Sequence, residues 1–144
     1  MKALGMIGGT SWHSTIEYYR MINSGVSKVI GSESNPPLIL HSLNVQLMRR
    51  QQLDEINEKY LQVSRELERS GAQAILICAN TPHQVYAFVQ PQITIPILHI
   101  ADAIGKEARK EQLKTLGLLG TMPTMLGNFI PERLKDLHLS LIHI

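Results

Sequence analysis

The sequence contains a single cysteine, Cys78, so it cannot form an intrachain disulfide bond. Such scarcity is typical of proteins from a reducing compartment, and we expect a cytoplasmic protein. No apolar run approaches the ~20 residues that a membrane-spanning helix needs. The apolar stretch at the N-terminus is too short for a signal peptide and runs directly into two glycines. The sequence therefore predicts neither a membrane protein nor a secreted one.

The sequence also has little excess charge of either sign. The net charge is +2, and no run of basic residues interleaved with aromatic ones is present, which argues against nucleic acid as a partner. Of the 144 residues, 44% are hydrophobic and 18% are charged, as in ordinary soluble globular proteins. This length predicts one domain or part of a larger protein.

Short apolar runs alternate with amphipathic segments along the whole chain. The runs predict strands, which lie at residues 3–9, 38–43, 72–80, 95–100, 115–121 and 139–144. The segments between them predict helices, which lie at residues 14–29, 54–71, 81–89, 101–113 and 122–137, the last interrupted at Gly127 and Pro131. This alternation predicts an α/β fold with a mostly parallel sheet flanked by helices.

Two of these helices have the clearest patterns. In the first, Ser14 and Glu17 fit a capping box, and one apolar face contains Ile16, Tyr19, Ile22, Val26 and Val29. In the second, Gly71 lies where a C-terminal cap belongs, and the apolar stripe contains Ile56, Tyr60, Val63 and Leu67. Both patterns predict amphipathic helices.

Parallel α/β sheets bind ligands beyond the carboxyl ends of their strands. That rule selects three segments: residues 8–11, 78–81 and 120–124. The first and third are similar, since "LGMIGGTSWHST" and "LGLLGTMPTM" both place Leu-Gly, two apolar residues and Gly before a helix. This similarity is consistent either with a duplicated unit or with the general preference of such turns for glycine. A duplication would place the equivalent of Cys78 near position 190, outside this sequence.

Cys78 ends an apolar strand and precedes a helix that the sequence predicts to start at Thr81 and Pro82. The N-terminus of a helix favours a thiolate, which is the reactive form of cysteine. A lone cysteine in an apolar strand is also commonly a small buried hydrophobe. The sequence alone leaves both alternatives open.

Other residue types near the predicted site suit a small carboxylate better than a nucleotide. The first loop has two glycines and the hydroxyls of Thr10 and Ser11, but no Walker lysine. One of the adjacent arginines, Arg49 and Arg50, could pair with a carboxylate, or both could be solvated. His83 is close enough to Cys78 in sequence to pair with it or to lie at the surface. The remaining histidines show no spacing that predicts a metal site; His13, His41 and His99 are the ones near the predicted cleft.

Four segments together resemble the aspartate/glutamate racemase family, in its broad-specificity amino-acid racemase branch. They are "GMIGGTSWHSTIEYYRMIN" (5–23), "ILICANTPH" (75–83), "ILHIADA" (97–103) and "LGLLGTMPTM" (116–125). The resemblance implies two pseudo-symmetric α/β halves with the active site between them. On that basis we expect residues 1–103 to form the N-terminal half and residues 104–144 to begin the second.

The resemblance also implies an amino-acid racemase that works without pyridoxal phosphate, other cofactor or metal. Two cysteines on opposite faces of the substrate α-carbon would remove and return its proton, and Cys78 would be one of them. The implied substrate-binding residues are Gly9, Thr10, Ser11, Arg50, Asn80, Thr81 and Thr121. His83 is a possible supporting residue. A small amino acid would be the substrate, and a homodimer is the assembly that the family suggests.

The sequence departs from the family in one respect. The family's second catalytic segment, Gly-Cys-Thr-Glu, has no counterpart in these 144 residues. We therefore expect a sequence cut short after the first half and inactive by itself in two-thiol racemisation, with residues 139–144 either native or unrelated. The alternative is a non-catalytic paralogue that binds a small carboxylate or has no activity. The sequence does not identify the amino acid.

Overall fold

The computed structural model describes residues 1–143, which form two parallel sheets with helices around them. The strands are β1 Leu4–Gly8, β2 Leu38–Ser42, β3 Ala74–Ile77, β4 Ile97–Leu98, β5 Thr115–Leu118 and β6 Ser140–His143. The α-helices are α1 Trp12–Ile30, α2 Gln46–Arg49, α3 Leu53–Arg69, α4 Tyr86–Val89, α5 Ile100–Lys110, α6 Met122–Leu126 and α7 Pro131–Lys135. Two 3₁₀ helices flank α4, at Thr81–Val85 and Gln90–Gln92. Of the last predicted strand, residue 144 lies outside the described residues.

The first sheet has the strand order β2-β1-β3-β4, with every neighbouring pair parallel. The second sheet consists of β5 and β6, also parallel, with Thr115 opposite Ser140. Each parallel pair needs a crossover connection, and helices supply most of them. The predicted α/β class with parallel strands is confirmed. The six strands, however, divide between two sheets with separate hydrophobic clusters. The predicted boundary between residues 103 and 104 stays a prediction.

Helix α3 follows its sequence pattern closely. Its predicted stripe of Ile56, Tyr60, Val63 and Leu67 is at most 2% exposed and belongs to the core of the first sheet. Gly71 has a φ of +91°, a left-handed conformation that glycine adopts without steric cost. The Gly71 amide donates to the carbonyl of Glu68, so the predicted end of this helix is confirmed.

Helix α1 differs from its prediction at the start and along its apolar face. Ser11, rather than Ser14, is the N-cap, and its hydroxyl oxygen accepts from the Ser14 amide. Ile16, Tyr19 and Val29 are 53%, 48% and 83% exposed. Ile22 and Val26 are only half-buried, so the stripe is not a core face among residues 1–143. Among the described residues, no helix is both long and apolar enough to cross a membrane.

Candidate functional site

A cleft of about 580 Å³ lies where the carboxyl edge of the first sheet meets the start of α6. The three predicted strand-end segments converge there, since Thr10 and Ser11, residues 79–81, and Gly120 and Thr121 all line it. Parallel strands bring their carboxyl ends to one edge, which explains why segments far apart in sequence meet. The cleft is the candidate functional site.

Gly9 sets the shape of the first loop. Its φ is +86°, and an added Cβ would collide with the backbone of Leu43. Its amide donates to the Thr15 hydroxyl oxygen at 3.0 Å, and that hydroxyl donates to the carbonyl of Ser11 at 2.8 Å. These bonds hold the loop against the first turn of α1, with Thr10 and Ser11 at the cleft.

Three threonine hydroxyls meet on the other side of the cleft. Thr81 Oγ1 lies 2.6 Å from Thr124 Oγ1 and 3.3 Å from Thr121 Oγ1, and the last two oxygens are 3.1 Å apart. The predicted capping role of Thr81 is wrong, because Asn80 is the N-cap of the 3₁₀ helix and makes no side-chain capping bond. The cluster joins the first sheet's strand-end loop to α6.

Cys78 follows the last residue of β3 and is 1% exposed. Its amide donates to the carbonyl of Ile7 at 2.9 Å, and its carbonyl accepts from the hydroxyl of Ser14. Burial raises the pKa of the Cys78 thiol to about 12. This direction is opposite to the lowered pKa expected for a cysteine at the start of a helix. Burial dominates, and the helix that follows is a five-residue 3₁₀ helix rather than a longer α-helix.

His83 lies behind the strand-end loop rather than in the cleft. Its ring is 1% exposed, and Nδ1 lies 2.9 Å from the carbonyl oxygen of Ala79 and 3.1 Å from that of Asn80. Burial lowers the pKa of His83, an effect that nearby carbonyl groups partly oppose. The ring also lines a separate cavity of about 430 Å³. The geometry does not pair the His83 ring with the Cys78 thiol.

The two adjacent arginines have different positions. Arg50, the arginine predicted to bind substrate, instead pairs with Glu55 at 3.1 Å on the exposed surface. Arg49 lines the cleft. Successive residues of a helix are rotated by about 100°, so neighbours at the end of α2 face different directions. The rotation at the end of α2 decides which of the two arginines lines the cleft, and the local sequence pattern does not encode it.

Three polar residues of the cleft lie outside the segments that the sequence predicts for the site: Ser14, Tyr18 and Gln51; Thr124 lies within the predicted segment 120–124 but was not singled out. Ser11, Ser14 and Tyr18 are spaced i, i+3 and i+7, so they share one face of α1. This spacing is the sequence signal that identifies them, and it lies on the same helix as the apolar stripe. Gln51 has a φ of +54° between α2 and α3, which brings its side chain to the cleft wall.

His13, His41 and His99 do not line the cleft and make other contacts. His99 is 3% exposed, and its Nδ1 accepts from the Ala101 amide at 3.1 Å as the N-cap of α5. Burial lowers the pKa of His99 to about 4. His41 lies 3.6 Å from a carboxylate oxygen of Glu66, and exposed His13 stacks on Trp12.

The chemistry of the cleft suits a small anion. Among the described residues that line it, Arg49 is the one cation and none is acidic, while hydroxyls and amides make up most of the rest. Hydroxyl and amide donors with one guanidinium are suited to carboxylate groups. Within residues 1–143, no three His, Cys, Asp or Glu side chains are arranged to hold a metal ion.

Comparison with known proteins identifies the family to which the chain is similar. A family model described as Asp/Glu/Hydantoin racemase matches residues 7–142. The chain is 24% identical to the broad specificity amino-acid racemase RacX of Bacillus subtilis over 145 residues, covering 97% of this chain and 63% of that protein.

Two crystal structures are similar over nearly the whole chain. One is a Yersinia pestis protein assigned as an Asp/Glu racemase, with a TM-score of 0.91 and 36% identity, covering 99% of this chain and 64% of that one. The other is an aspartate racemase homologue from Pyrococcus horikoshii OT3, with a TM-score of 0.85 and 31% identity, covering 100% and 65%. The chain thus spans less than two thirds of the length of each of these relatives.

Proposed function

Because the chain belongs to the Asp/Glu/Hydantoin racemase family, we propose that its cleft binds a small amino acid and that Cys78 transfers the α-proton of that amino acid. The observation that carries this proposal is the position of the one cysteine. It lies at the carboxyl end of β3, at the base of the strand-end loop whose next three residues line a carboxylate-suited cleft. A cytoplasmic location, a homodimer and the absence of a nucleic-acid partner stay predictions.

The proposed binding roles follow from the donor types. The α-carboxylate would lie among Thr10, Ser11, Asn80, Thr81 and Thr121, with Gly9 allowing close backbone approach. Arg49 would hold a side-chain carboxylate, in place of the arginine chosen from the sequence. A dicarboxylic amino acid such as aspartate or glutamate matches this single cation, because it has one net negative charge at neutral pH. Donors fixed around the α-carboxylate stabilise the carbanion-like state that forms when the α-proton leaves.

The protonation state of Cys78 defines its part in the reaction. With a pKa of about 12, the thiol holds its proton at neutral pH and in this form is the acid of the cycle. The ammonium group of a bound amino acid places a positive charge nearby, which favours loss of the thiol proton to solvent; the thiolate that remains is the base. As base, the sulfur accepts the α-proton; as acid, the S–H returns it to the carbanion on the same face. No cofactor enters this scheme.

Inversion of configuration needs a second acid on the opposite face of the α-carbon. Cys78 is the one cysteine of these 144 residues, so they provide one of the two thiols that the two-thiol scheme requires. We propose that these residues alone exchange the α-proton with retention and do not racemise.

A second function is favoured by one observation. A thiol that is 1% exposed with a strongly raised pKa is also what a non-catalytic carboxylate-binding protein would have. Titration calorimetry with L- and D-aspartate and glutamate tests the binding step that both functions share. The proposal predicts saturable binding by wild type and by Cys78→Ala. No binding of any of the four would contradict both functions, and α-proton exchange distinguishes them.

A further inference from the structure

In the strand-end loop, residues 78–81, the carbonyl groups of the first three residues each contact a polar side chain. The carbonyl of Cys78 accepts from the Ser14 hydroxyl on one side. The carbonyls of Ala79 and Asn80 both face the ring of His83, with oxygen distances to Nδ1 of 2.9 and 3.1 Å. The Asn80 carbonyl also accepts from the backbone amide of His83 at 3.1 Å. His83 thus contacts two consecutive peptide groups of the loop.

These contacts determine where the amide groups of the loop point. In a trans peptide the C=O of one residue is antiparallel to the N–H of the next. No cis peptide occurs in the described chain, so the carbonyls of Ala79 and Asn80 facing His83 turn the N–H groups of Asn80 and Thr81 the other way. Asn80 and Thr81 line the cleft, whereas His83 lines the separate cavity behind the loop.

The same two amide groups are free to bind a ligand. Among residues 1–143, neither the Asn80 nor the Thr81 amide donates to a backbone or side-chain acceptor outside the helices and strands. Thr81 is the first residue of its 3₁₀ helix, so its amide has no intrahelical acceptor either. Asn80 is exposed and Thr81 is half-buried, so both amides are open to an acceptor that enters the cleft, such as a ligand carboxylate.

We propose that His83 is a positioning residue, which holds the Ala79–Asn80 and Asn80–Thr81 peptide groups so that their amides face the cleft as donors to the substrate carboxylate. This role rests on the proposed function of the cleft. It places the effect of His83 on the backbone of the loop rather than on the thiol itself. The side chain acts without touching the substrate.

The state of the ring agrees with this role. Carbonyl oxygens only accept hydrogen bonds, so Nδ1 must carry the proton. Burial lowers the pKa of the ring and so favours its neutral form, although the carbonyl of Leu98 also acts on it; Nε2 has no partner with hydrogen-bond geometry in the described chain. The ring of His99 lies edge-on at 4.8 Å and holds the His83 ring in place. His83 is therefore expected as the single Nδ1–H tautomer.

A pair of variants separates the donor from the bulk of the ring. In His83→Asn the side-chain amide can supply an N–H near the position of Nδ1, whereas His83→Leu fills the space without a donor. The readouts are backbone amide shifts of Asn80 and Thr81 by ¹⁵N NMR, and their response to titrated L-aspartate. Urea denaturation confirms folding, and His83→Met, which also lacks a donor, replaces the leucine variant if the latter does not fold.

We expect the wild-type protein to show the Nδ1–H tautomer of His83. His83→Leu should change the NMR chemical shifts of both loop amides and weaken aspartate binding about tenfold, which corresponds to the loss of one hydrogen bond. His83→Asn should restore both the amide shifts and most of the affinity. Wild-type loop shifts and affinity in folded His83→Leu would overturn the positioning role, as would an Nε2–H tautomer. If wild type binds no aspartate or glutamate, the proposed function fails, and the loop amide shifts of the variants still decide the role of His83.

Discussion

The hydroxyl oxygens of Thr81 and Thr124 lie 2.6 Å apart, although 43 residues separate them in sequence. Thr81 begins the 3₁₀ helix that follows the cysteine loop, and Thr124 lies in α6, next to the second sheet. The contact joins the two parts of the chain at the wall of the cleft. Any ligand held by these hydroxyls therefore contacts both parts at once.

Removing this contact should have a measurable cost. Thr124 is 3% exposed, so Thr124→Val keeps the shape of the side chain and deletes the bond to Thr81. We expect a loss of about 1 kcal/mol in the free energy of unfolding, the usual net value of a partly buried hydrogen bond. Urea denaturation measures it. Thr115→Val, which deletes an exposed bond to Ser140, is the matched control and should cost less. Equal costs would show that the cluster has no special role in stability.

Gly9 and Gly25 provide a second matched pair. Gly9→Ala places a Cβ against the backbone of Leu43 at a positive φ, and we expect a loss of more than ~2 kcal/mol. Gly25 lies inside α1 with nothing within 4 Å of an added Cβ. Gly25→Ala should therefore stabilise by about 0.5–1 kcal/mol through helix propensity. Thermal denaturation of the two variants should give shifts of opposite sign, and a tolerated Gly9→Ala would disprove the described loop geometry.

Arg49 and Arg50 test the assignment of the cleft. Arg49→Gln removes the single cation among the described cleft residues, and we expect aspartate affinity to fall about tenfold or more. Arg50→Gln breaks an exposed pair with Glu55 and should leave affinity within about twofold. Titration calorimetry on both variants gives the comparison. If Arg50→Gln is the damaging change, the arginine predicted from the sequence was the right one.

Acid should weaken the fold through its buried histidines. The pKa of His99 falls from 6.5 to about 4 on burial, so the unfolded chain binds a proton there that the folded chain does not. Stability contributed by the neutral ring is complete above pH 6.5 and is lost as pH falls towards 4, by at most roughly 3 kcal/mol. The lowered pKa of His83 acts in the same direction.

His99→Asn separates the cap from the titration. Asparagine is a good N-cap, so the variant should keep the bond to the Ala101 amide without a titrating ring. Urea denaturation at several pH values should show a shallower loss of stability between pH 6.5 and 4, with the contribution of His83 remaining. An unchanged pH profile would show that His99 is not the titrating group.

The thiol should be inert at neutral pH. A pKa of about 12 leaves on the order of one thiolate per 10⁵ molecules at pH 7, and the sulfur is buried as well. Iodoacetamide should modify Cys78 orders of magnitude more slowly in the native protein than in urea, with the native rate rising up to pH 11. Rapid native modification at pH 7 would place the thiol in a different environment.

The sequence predicted the parts of the fold that local pattern determines. The stripe of α3, its end at Gly71 and the meeting of three strand-end segments all follow from periodicity, glycine conformation and the geometry of parallel strands. The long apolar face of α1 was different. Ile16 and Val29 have the spacing of a core face, but burial depends on whether another element covers them, which local pattern does not encode.

The sequence indicates which segments line the cleft, but it does not fix the position of each side chain there. Thr10, Asn80 and Thr121 followed from their places after strands. The choice between Arg49 and Arg50 depended on the rotation at the end of a four-residue helix. The protonation of Cys78 depends on its burial, which raises the pKa of the thiol. The short 3₁₀ helix that follows has only a weak dipole with which to lower it. Both are tertiary properties.

The most direct test of the account is α-proton exchange of each enantiomer of aspartate and glutamate in deuterated water, followed by NMR and chiral chromatography. With one thiol, the account predicts α-deuterium in one enantiomer of an accepted amino acid, retained configuration, and no exchange with Cys78→Ala. Exchange that survives Cys78→Ala, inversion by the wild-type chain, or no exchange of a bound amino acid would contradict the role assigned to Cys78.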